Sequence, residues 1–141
     1  MRATLESTTL IKTTMNKNEQ QKIMVVEDDK FLADLIIQKL RAKGYDVSFV
    51  SNGESVMSEV EKVMPDLILL DILLPGVDGF DVLGKLKSEE KLQNIKVVIL
   101  SNLQSKENIH QGKTLGAESF LIKSLVDLDE IVTEVEKVLN K

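Results

Sequence analysis

The stretch Pro65-Asp66-Leu67-Ile68-Leu69-Leu70-Asp71-Ile72-Leu73-Leu74-Pro75-Gly76-Val77-Asp78-Gly79 decides the fold. Residues 67–70 are four large apolar residues in a row, stopped by Pro65-Asp66 before them and Asp71 after them. A short run without alternation reads as a strand covered on both faces, the signature of a parallel sheet packed between helices. Pro75-Gly76 and Asp78-Gly79 then mark a turn-rich loop. Three similar runs lie on either side. Ile23-Met24-Val25-Val26 leads into Glu27-Asp28-Asp29, Val97-Val98-Ile99-Leu100 ends on Ser101, and Phe120-Leu121-Ile122 ends on Lys123. A weaker run over 46–50, where Val47 and Phe49 alternate with Ser48 and Val50, suits an edge strand.

Between these runs lie amphipathic segments of helical period, so the chain reads as successive βα units. Strands are expected over 22–27, 46–50, 67–70, 96–100 and 119–122. Asp29 is placed to cap a first helix that buries Leu32, Leu35, Ile36 and Leu40, and Gly44 ends it. A second helix starts near Gly53, buries Val56, Val60 and Val63, and stops at Pro65-Asp66. A third covers about 80–88. A fourth, over 105–115, is poor by propensity, since it holds Asn108, His110, Gln111, Gly112 and Thr114. The fifth, over 127–139, carries Leu128, Ile131, Val132, Val135, Val138 and Leu139 on one face.

With 141 residues, the chain has the length of one ordinary domain with a real core. Its 43% hydrophobic and 29% charged residues are those of a globular protein, and a net charge of −5 gives no nucleic-acid footprint. The absence of cysteine excludes disulfides and thiolate metal sites, and a reducing cytoplasm is compatible. No apolar run approaches the roughly 20 residues of a membrane-spanning helix. Residues 1–20 differ in composition, being rich in Thr, Ser, Asn, Gln and Lys, and read as a disordered tail or an extension with Met15 as an alternative start. Residues 21–141 form the domain.

In an open parallel sheet, ligands bind just beyond the carboxyl ends of the strands. The four runs would deliver acids, a hydroxyl and an ammonium to one small space. Asp71, at the mouth of the most buried strand, is the candidate nucleophile towards phosphorus, forming an acyl phosphate. Two like-charged groups must then meet, so a cation is needed. Glu27, Asp28 and Asp71 suit Mg2+, with Mn2+ a possible substitute, because hard cations take oxygen ligands. Lys123 would supply a second positive charge, and Ser101 a hydrogen bond to a phosphate oxygen.

Glu27-Asp28, Asp71, Ser101 and Lys123 follow one another at separations of 43, 30 and 22 residues, counted from Asp28. The order and the local wording resemble the receiver domain of bacterial two-component response regulators. The matching segments are Ile-Met-Val-Val-Glu-Asp-Asp from residue 23, Asp-Leu-Ile-Leu-Leu-Asp-Ile-Leu-Leu-Pro-Gly-Val-Asp-Gly-Phe-Asp-Val-Leu from 66, and Leu-Gly-Ala-Glu-Ser-Phe-Leu-Ile-Lys from 115. The likeness covers about 22–141. It implies a flavodoxin-like, doubly wound (βα)5 sheet of order 2-1-3-4-5. It implies that Asp71 accepts a phosphoryl group from a histidine kinase or a histidine phosphotransfer protein. Asp28, Asp71 and the backbone carbonyl of Leu73 would hold Mg2+, with Glu27 acting through water. Ser101 and Lys123 would contact the phosphoryl group. Phe120 matches the switch aromatic, which turns inward as Ser101 moves and so changes the face of the fourth helix, fifth strand and fifth helix. The resemblance further implies a cytoplasmic phosphoprotein switch, not an enzyme, monomeric or weakly dimeric, with an output protein as partner and no direct contact with nucleic acid or membrane.

Three positions depart from the family pattern. Ser124 stands where a proline in a cis peptide is usual. A non-proline cis bond costs about 3–4 kcal/mol, so a trans peptide or a rearranged loop is expected. Asn102 replaces a small residue and is expected to hinder access to Asp71. Gly112 replaces an alanine, keeping the small volume at about 1 kcal/mol of helix propensity.

Other features carry less. The run Gly79-Phe-Asp-Val-Leu-Gly84-Lys85 mimics a P-loop, but Leu86 replaces the required hydroxyl residue and the stretch reads as helix. His110, the sole histidine, reads as a surface residue, and Asp127, Asp129, Glu130, Glu134 and Glu136 as the solvated face of the last helix. Two alternatives remain beside the stand-alone switch. One is a receiver cut from a longer regulator with a DNA-binding or enzymatic effector. The other is an aspartyl-phosphate phosphatase, against which the missing Asp-x-Asp pair and cap domain argue.

Overall fold

The computed structural model describes residues 21–141, so the expected tail over 1–20 lies outside the described residues. The chain runs β1 (Lys22–Val26), α1 (Lys30–Ala42), β2 (Asp46–Val50), α2 (Val56–Val63), β3 (Leu67–Leu70), α3 (Gly79–Ser88), β4 (Lys96–Ser101), α4 (Lys106–Thr114), β5 (Ser119–Ile122) and α5 (Leu128–Leu139). The five strands form one parallel sheet of order β2-β1-β3-β4-β5. This is the doubly wound, flavodoxin-like arrangement expected, with the weakly patterned β2 at an edge.

β3 shows why its sequence is uniformly apolar. Ile68 and Leu70 point into one layer with Met24, Val26, Val97 and Ile99, closed by Val56 and Val60 of α2 and Phe80, Leu83 and Leu86 of α3. Leu67 and Leu69 point into the other with Ile23, Val25, Val98 and Leu100, closed by α1 and α5. Each fully buried side chain of this kind stabilises the fold by about 1.5–3 kcal/mol.

Local signals end the elements as the residues demand. The Asp29 side chain accepts the Leu32 N–H and caps α1; Asp78 caps α3; Asp127 and Glu130 form a capping box on α5. Met64 closes α2 in a left-handed conformation with φ of 51°, because the following Pro65 disfavours a helical conformation there. Between β3 and α3, Leu73–Leu74 pairs antiparallel with Val77–Asp78, and Gly76 takes φ of 80° in the turn after Pro75. A Cβ on Gly79 would lie 2.4 Å from the Ile72 Cα, so only glycine lets α3 start against this loop.

Some boundaries differ from expectation. Residues Gly53–Ser55 form a 3-10 turn before α2, capped by Asn52, and Val63 is half-buried rather than buried. The buried face of α1 is Ala33, Ile36, Ile37 and Leu40, while Leu32 and Leu35 are half-buried. The small Ala33 faces the sheet, which rotates the flanking leucines to its margin. β4 extends through Ser101, which is therefore a strand residue, and β1 ends at Val26, although the Glu27 N–H still donates to the Val50 carbonyl at 3.1 Å. Gly79–Lys85 is helical, as read, and His110 is exposed. Among the described residues no helix is long and apolar enough to cross a membrane.

Candidate functional site

The sheet register brings the singled-out residues to one edge. Val26 pairs with Leu70, Leu70 with Ile99, and Ser101 with Ile122. Glu27, Asp71 and Lys123 each follow the last residue of a strand, and Ser101 is the last residue of β4. Asp28 follows Glu27 and is exposed, while Glu27, Asp71 and Ser101 are only 2%, 3% and 0% exposed.

Lys123 organises the buried acids. Its Nζ donates to Asp71 Oδ2 at 2.6 Å and lies 2.7 Å from Glu27 Oε1. Backbone amides hold the other oxygens: Leu73 N–H donates to Asp71 Oδ1 at 3.0 Å, and Asp29 N–H to Glu27 Oε2 at 3.0 Å. Each acid is thus fixed from two sides. Burial pushes the Glu27 carboxyl above its ordinary value, against the opposing pull of the Lys123 ammonium and the Asp29 amide. Burial alone would depress the Lys123 ammonium; the hydrogen bonds to Asp71 and Glu27 outweigh it and hold that group above its usual range.

One carboxylate oxygen from each of Glu27, Asp28 and Asp71 lies within 4.8 Å of the others. Three acids against one ammonium leave two negative charges at the edge, and an all-oxygen donor set of this charge fits a hard divalent cation. The Ser101 hydroxyl is fully buried and has no hydrogen-bond partner among the described residues. Buried hydroxyls are normally satisfied, and an orphan at the rim of an acidic cluster fits a group held ready for an incoming oxygen. A groove of about 510 Å3 between α1 and α5, lined by Leu32, Val126, Leu128 and Ile131, meets the site only at Lys123.

Phe120 sits in β5, paired with Ile99, half-buried against the layer formed by β1, β3 and β4. Gly112 of α4 is its neighbour: a Cβ there would lie 3.0 Å from Phe120 Cδ2 and 2.7 Å from Ile99 Cδ1. The departure at Gly112 is therefore a notch that the ring and Ile99 occupy. The Lys123–Ser124 peptide is trans, and a 3-10 turn over Lys123–Leu125 replaces the loop a proline would shape. Asn102, expected to hinder access to Asp71, has a hydrogen-bond partner beside the site: its Oδ1 accepts the Ser124 N–H at 3.0 Å. Sequence reasoning missed that contact, and it missed the Leu73 amide, to which only a carbonyl role had been given.

A family model described as the response regulator receiver domain matches residues 23–136. Among characterised relatives, the DNA-binding dual master transcriptional regulator RpaA of Synechocystis is 33% identical over 120 residues, covering 85% of this chain and 49% of that protein. The response regulator PleD of Caulobacter vibrioides is 36% identical over 107 residues, 76% of this chain and 24% of that protein. The chain thus spans half or less of the length of these relatives. Among solved structures, the receiver domain of a LuxO repressor protein from Vibrio parahaemolyticus superimposes with a TM-score of 0.78 at 30% identity, covering 85% of this chain and 90% of that one. The beryllofluoride-activated receiver domain of RstA from Klebsiella pneumoniae does so with a TM-score of 0.78 at 28% identity, covering 86% and 100%. The match to the family model over nearly all of the sheet and its helices is decisive: this chain belongs to the receiver domains of two-component response regulators.

Proposed function

We propose that this domain is a phosphorylation switch whose acceptor is Asp71 and whose phosphodonor is a histidine kinase or a histidine phosphotransfer protein. The observation that carries this reading is the buried Asp71 carboxylate, held by the Leu73 amide and the Lys123 ammonium beside two further acids. In the transfer, an Asp71 oxygen forms the new bond to phosphorus as the phosphohistidine P–N bond breaks, and the imidazole nitrogen keeps the electron pair. Asp28, Asp71 and the Leu73 carbonyl are the groups to hold Mg2+, or Mn2+, with Glu27 acting through water. The bound cation would neutralise charge on the transferred group. Lys123 offers its ammonium, and Ser101 its unpartnered hydroxyl, to the phosphoryl oxygens.

Three exposed apolar residues surround this edge in sequence: Phe31 after Asp29, Leu73 after Asp71, and Leu125 after Lys123, at 75%, 52% and 69% exposure. They suit contact with a protein donor, whereas an enzyme with a small substrate would enclose its acid in a cavity. On this reading Phe120 and the loosely anchored α4, in which only Gly112 is buried, relay the change to the α4–β5–α5 face and an output protein. The greater length of the relatives favours a second reading of the output, in which the same switch serves a longer regulator with a DNA-binding or enzymatic effector.

Incubation with acetyl phosphate and Mg2+ tests the acceptor by intact mass. The protein should gain one phosphoryl group, and Asp71→Ala should gain none. An unchanged gain in that variant overturns the assignment of Asp71. Repeated release of phosphate from excess donor, at the rate of a phosphatase, would overturn the switch in favour of an enzyme.

A further inference from the structure

Two of the three residues at which this chain leaves its family's pattern touch each other. The ladder between β4 and β5 ends at the pair Ser101 and Ile122. Just beyond it, the Asn102 side chain takes over: its Oδ1 accepts the Ser124 N–H at 3.0 Å. A side chain thereby adds a hydrogen bond past the last backbone pair. The match is chemical, because a proline at this position would have no N–H to donate. An acceptor at 102 has this partner only because residue 124 is not proline. Gln104 makes a second tie from the same loop, its Nε2 donating to Ser124 Oγ at 3.3 Å.

The place of these bonds gives them a role. Ser124 N belongs to the peptide unit next to Lys123, whose ammonium bridges Asp71 and Glu27. The turn Lys123–Leu125 has no side-chain cap and no fully buried residue. Among the described side chains, Asn102 and Gln104 bond to it, beside the ion pairs of Lys123 itself. The loop that supplies them begins directly after Ser101, so both ends of the phosphoryl cradle are tied together.

Resting on the reading of Asp71 as acceptor, we propose that Asn102 is a positioning residue. By holding the Ser124 N–H, it keeps the turn after β5, and with it Lys123, in place for phosphoryl transfer to Asp71.

Amide hydrogen exchange at Ser124 and the rate of Asp71 labelling by acetyl phosphate with Mg2+ test this together. Loss of one such hydrogen bond, at about 1 kcal/mol, corresponds to roughly fivefold in each readout for Asn102→Ala: faster exchange at Ser124 and slower labelling. Asn102→Asp keeps the acceptor and should restore the protection of Ser124. In a Ser124→Pro background the N–H is gone, so adding Asn102→Ala should change labelling by less than about twofold. Equal slowing in both backgrounds would show that Asn102 acts through something other than the Ser124 N–H, and would overturn the proposal. Unchanged Ser124 exchange in Asn102→Ala would overturn it as well. If the wild type takes no phosphoryl group, the acceptor reading fails and the positioning role with it; the contact itself still shows in the exchange difference.

Discussion

Replacing Lys123 by methionine keeps most of the unbranched side chain and removes its charge. The ammonium lies 2.6 Å from Asp71 Oδ2 and 2.7 Å from Glu27 Oε1, and both acid side chains are 3% exposed. Removing one partner of a buried ion pair costs about 3–5 kcal/mol, mostly because the remaining charge is stranded. Two features reduce this. Lys123 is itself 16% exposed, so some water already reaches the site. Glu27, already pushed upward by burial, can take up a proton instead of staying charged. We therefore expect a loss of about 2–3 kcal/mol at pH 8 in EDTA, which moves the urea midpoint by roughly 1–2 M. The pH dependence identifies the cause. Without the ammonium, the folded-state Glu27 carboxyl rises further above its unfolded value of 4.5. An acid raised by folding leaves stability intact below its unfolded value and removes it as pH climbs through the folded one. The deficit relative to wild type should thus be small at pH 4 and full at pH 8, and saturating Mg2+ should narrow it by supplying positive charge to the native state alone. Urea titrations followed by far-UV circular dichroism decide the matter. Wild-type stability at pH 8 in EDTA, or an equal deficit at both pH values, would refute the charge argument and leave Lys123 a packing residue.

Gly112→Ala places a Cβ 2.7 Å from Ile99 Cδ1 and 3.0 Å from Phe120 Cδ2. Up to about 1 kcal/mol of helix propensity is gained and about 1–3 kcal/mol lost to overpacking, so thermal unfolding should show a net loss near 1 kcal/mol. The Phe120 ring resonances should shift with it, and unmoved resonances would show that the ring is not seated in the notch. Tyr45 donates to Glu136 Oε2 at 3.3 Å, and burial, reinforced by the Glu136 charge, pushes its hydroxyl up from 10.0 to about 12. The folded value is the higher one, so stability is complete below pH 10 and falls as the pH rises to 12. Tyr45→Phe should flatten that part of the stability profile in urea titrations, and an unchanged slope would assign the alkaline loss elsewhere.

How far the sequence carried each feature depended on how local its cause is. The uniformly apolar 67–70 announced a doubly covered strand, because burial on both faces leaves no position for a polar side chain. Asp29 was legible as a cap, because a carboxylate three residues ahead of its amide needs no tertiary context, whereas Asp78 read as a turn residue and Asp127 as part of the last helix, and both prove to be caps. Glu27, Asp28, Asp71, Ser101 and Lys123 converge because parallel strands present their carboxyl ends together, which spacing alone can suggest. The face of α1 was misjudged at Ala33, whose small size is invisible to a pattern of large apolar residues. Asn102 shows a different limit. Its bulk was evident, but its acceptor needs the Ser124 N–H, 22 residues away, and only the register of β4 on β5 puts the two within reach.

The same register bears on how a signal at Asp71 would leave the site. Ser101 ends β4, and two residues earlier Ile99 pairs with Phe120 across the ladder. Ile99 and the Phe120 ring share the notch over Gly112, the one buried residue of α4. Packed side chains at this density do not move independently, since a gap of even half an ångström forfeits a large part of each contact. On the proposed reading, Ser101 shifts towards a phosphoryl group on Asp71. A displacement of the β4 end then reaches Ile99, and through it the seat of Phe120 and the sole buried anchor of α4. Asn102 carries the same displacement sideways to Ser124 and the turn after β5. With β5 half-buried along its length and α4 held at one notch, these elements resist it least. That is the physical reason the change should emerge on the α4–β5–α5 face and not through the fully packed strands β1 and β3.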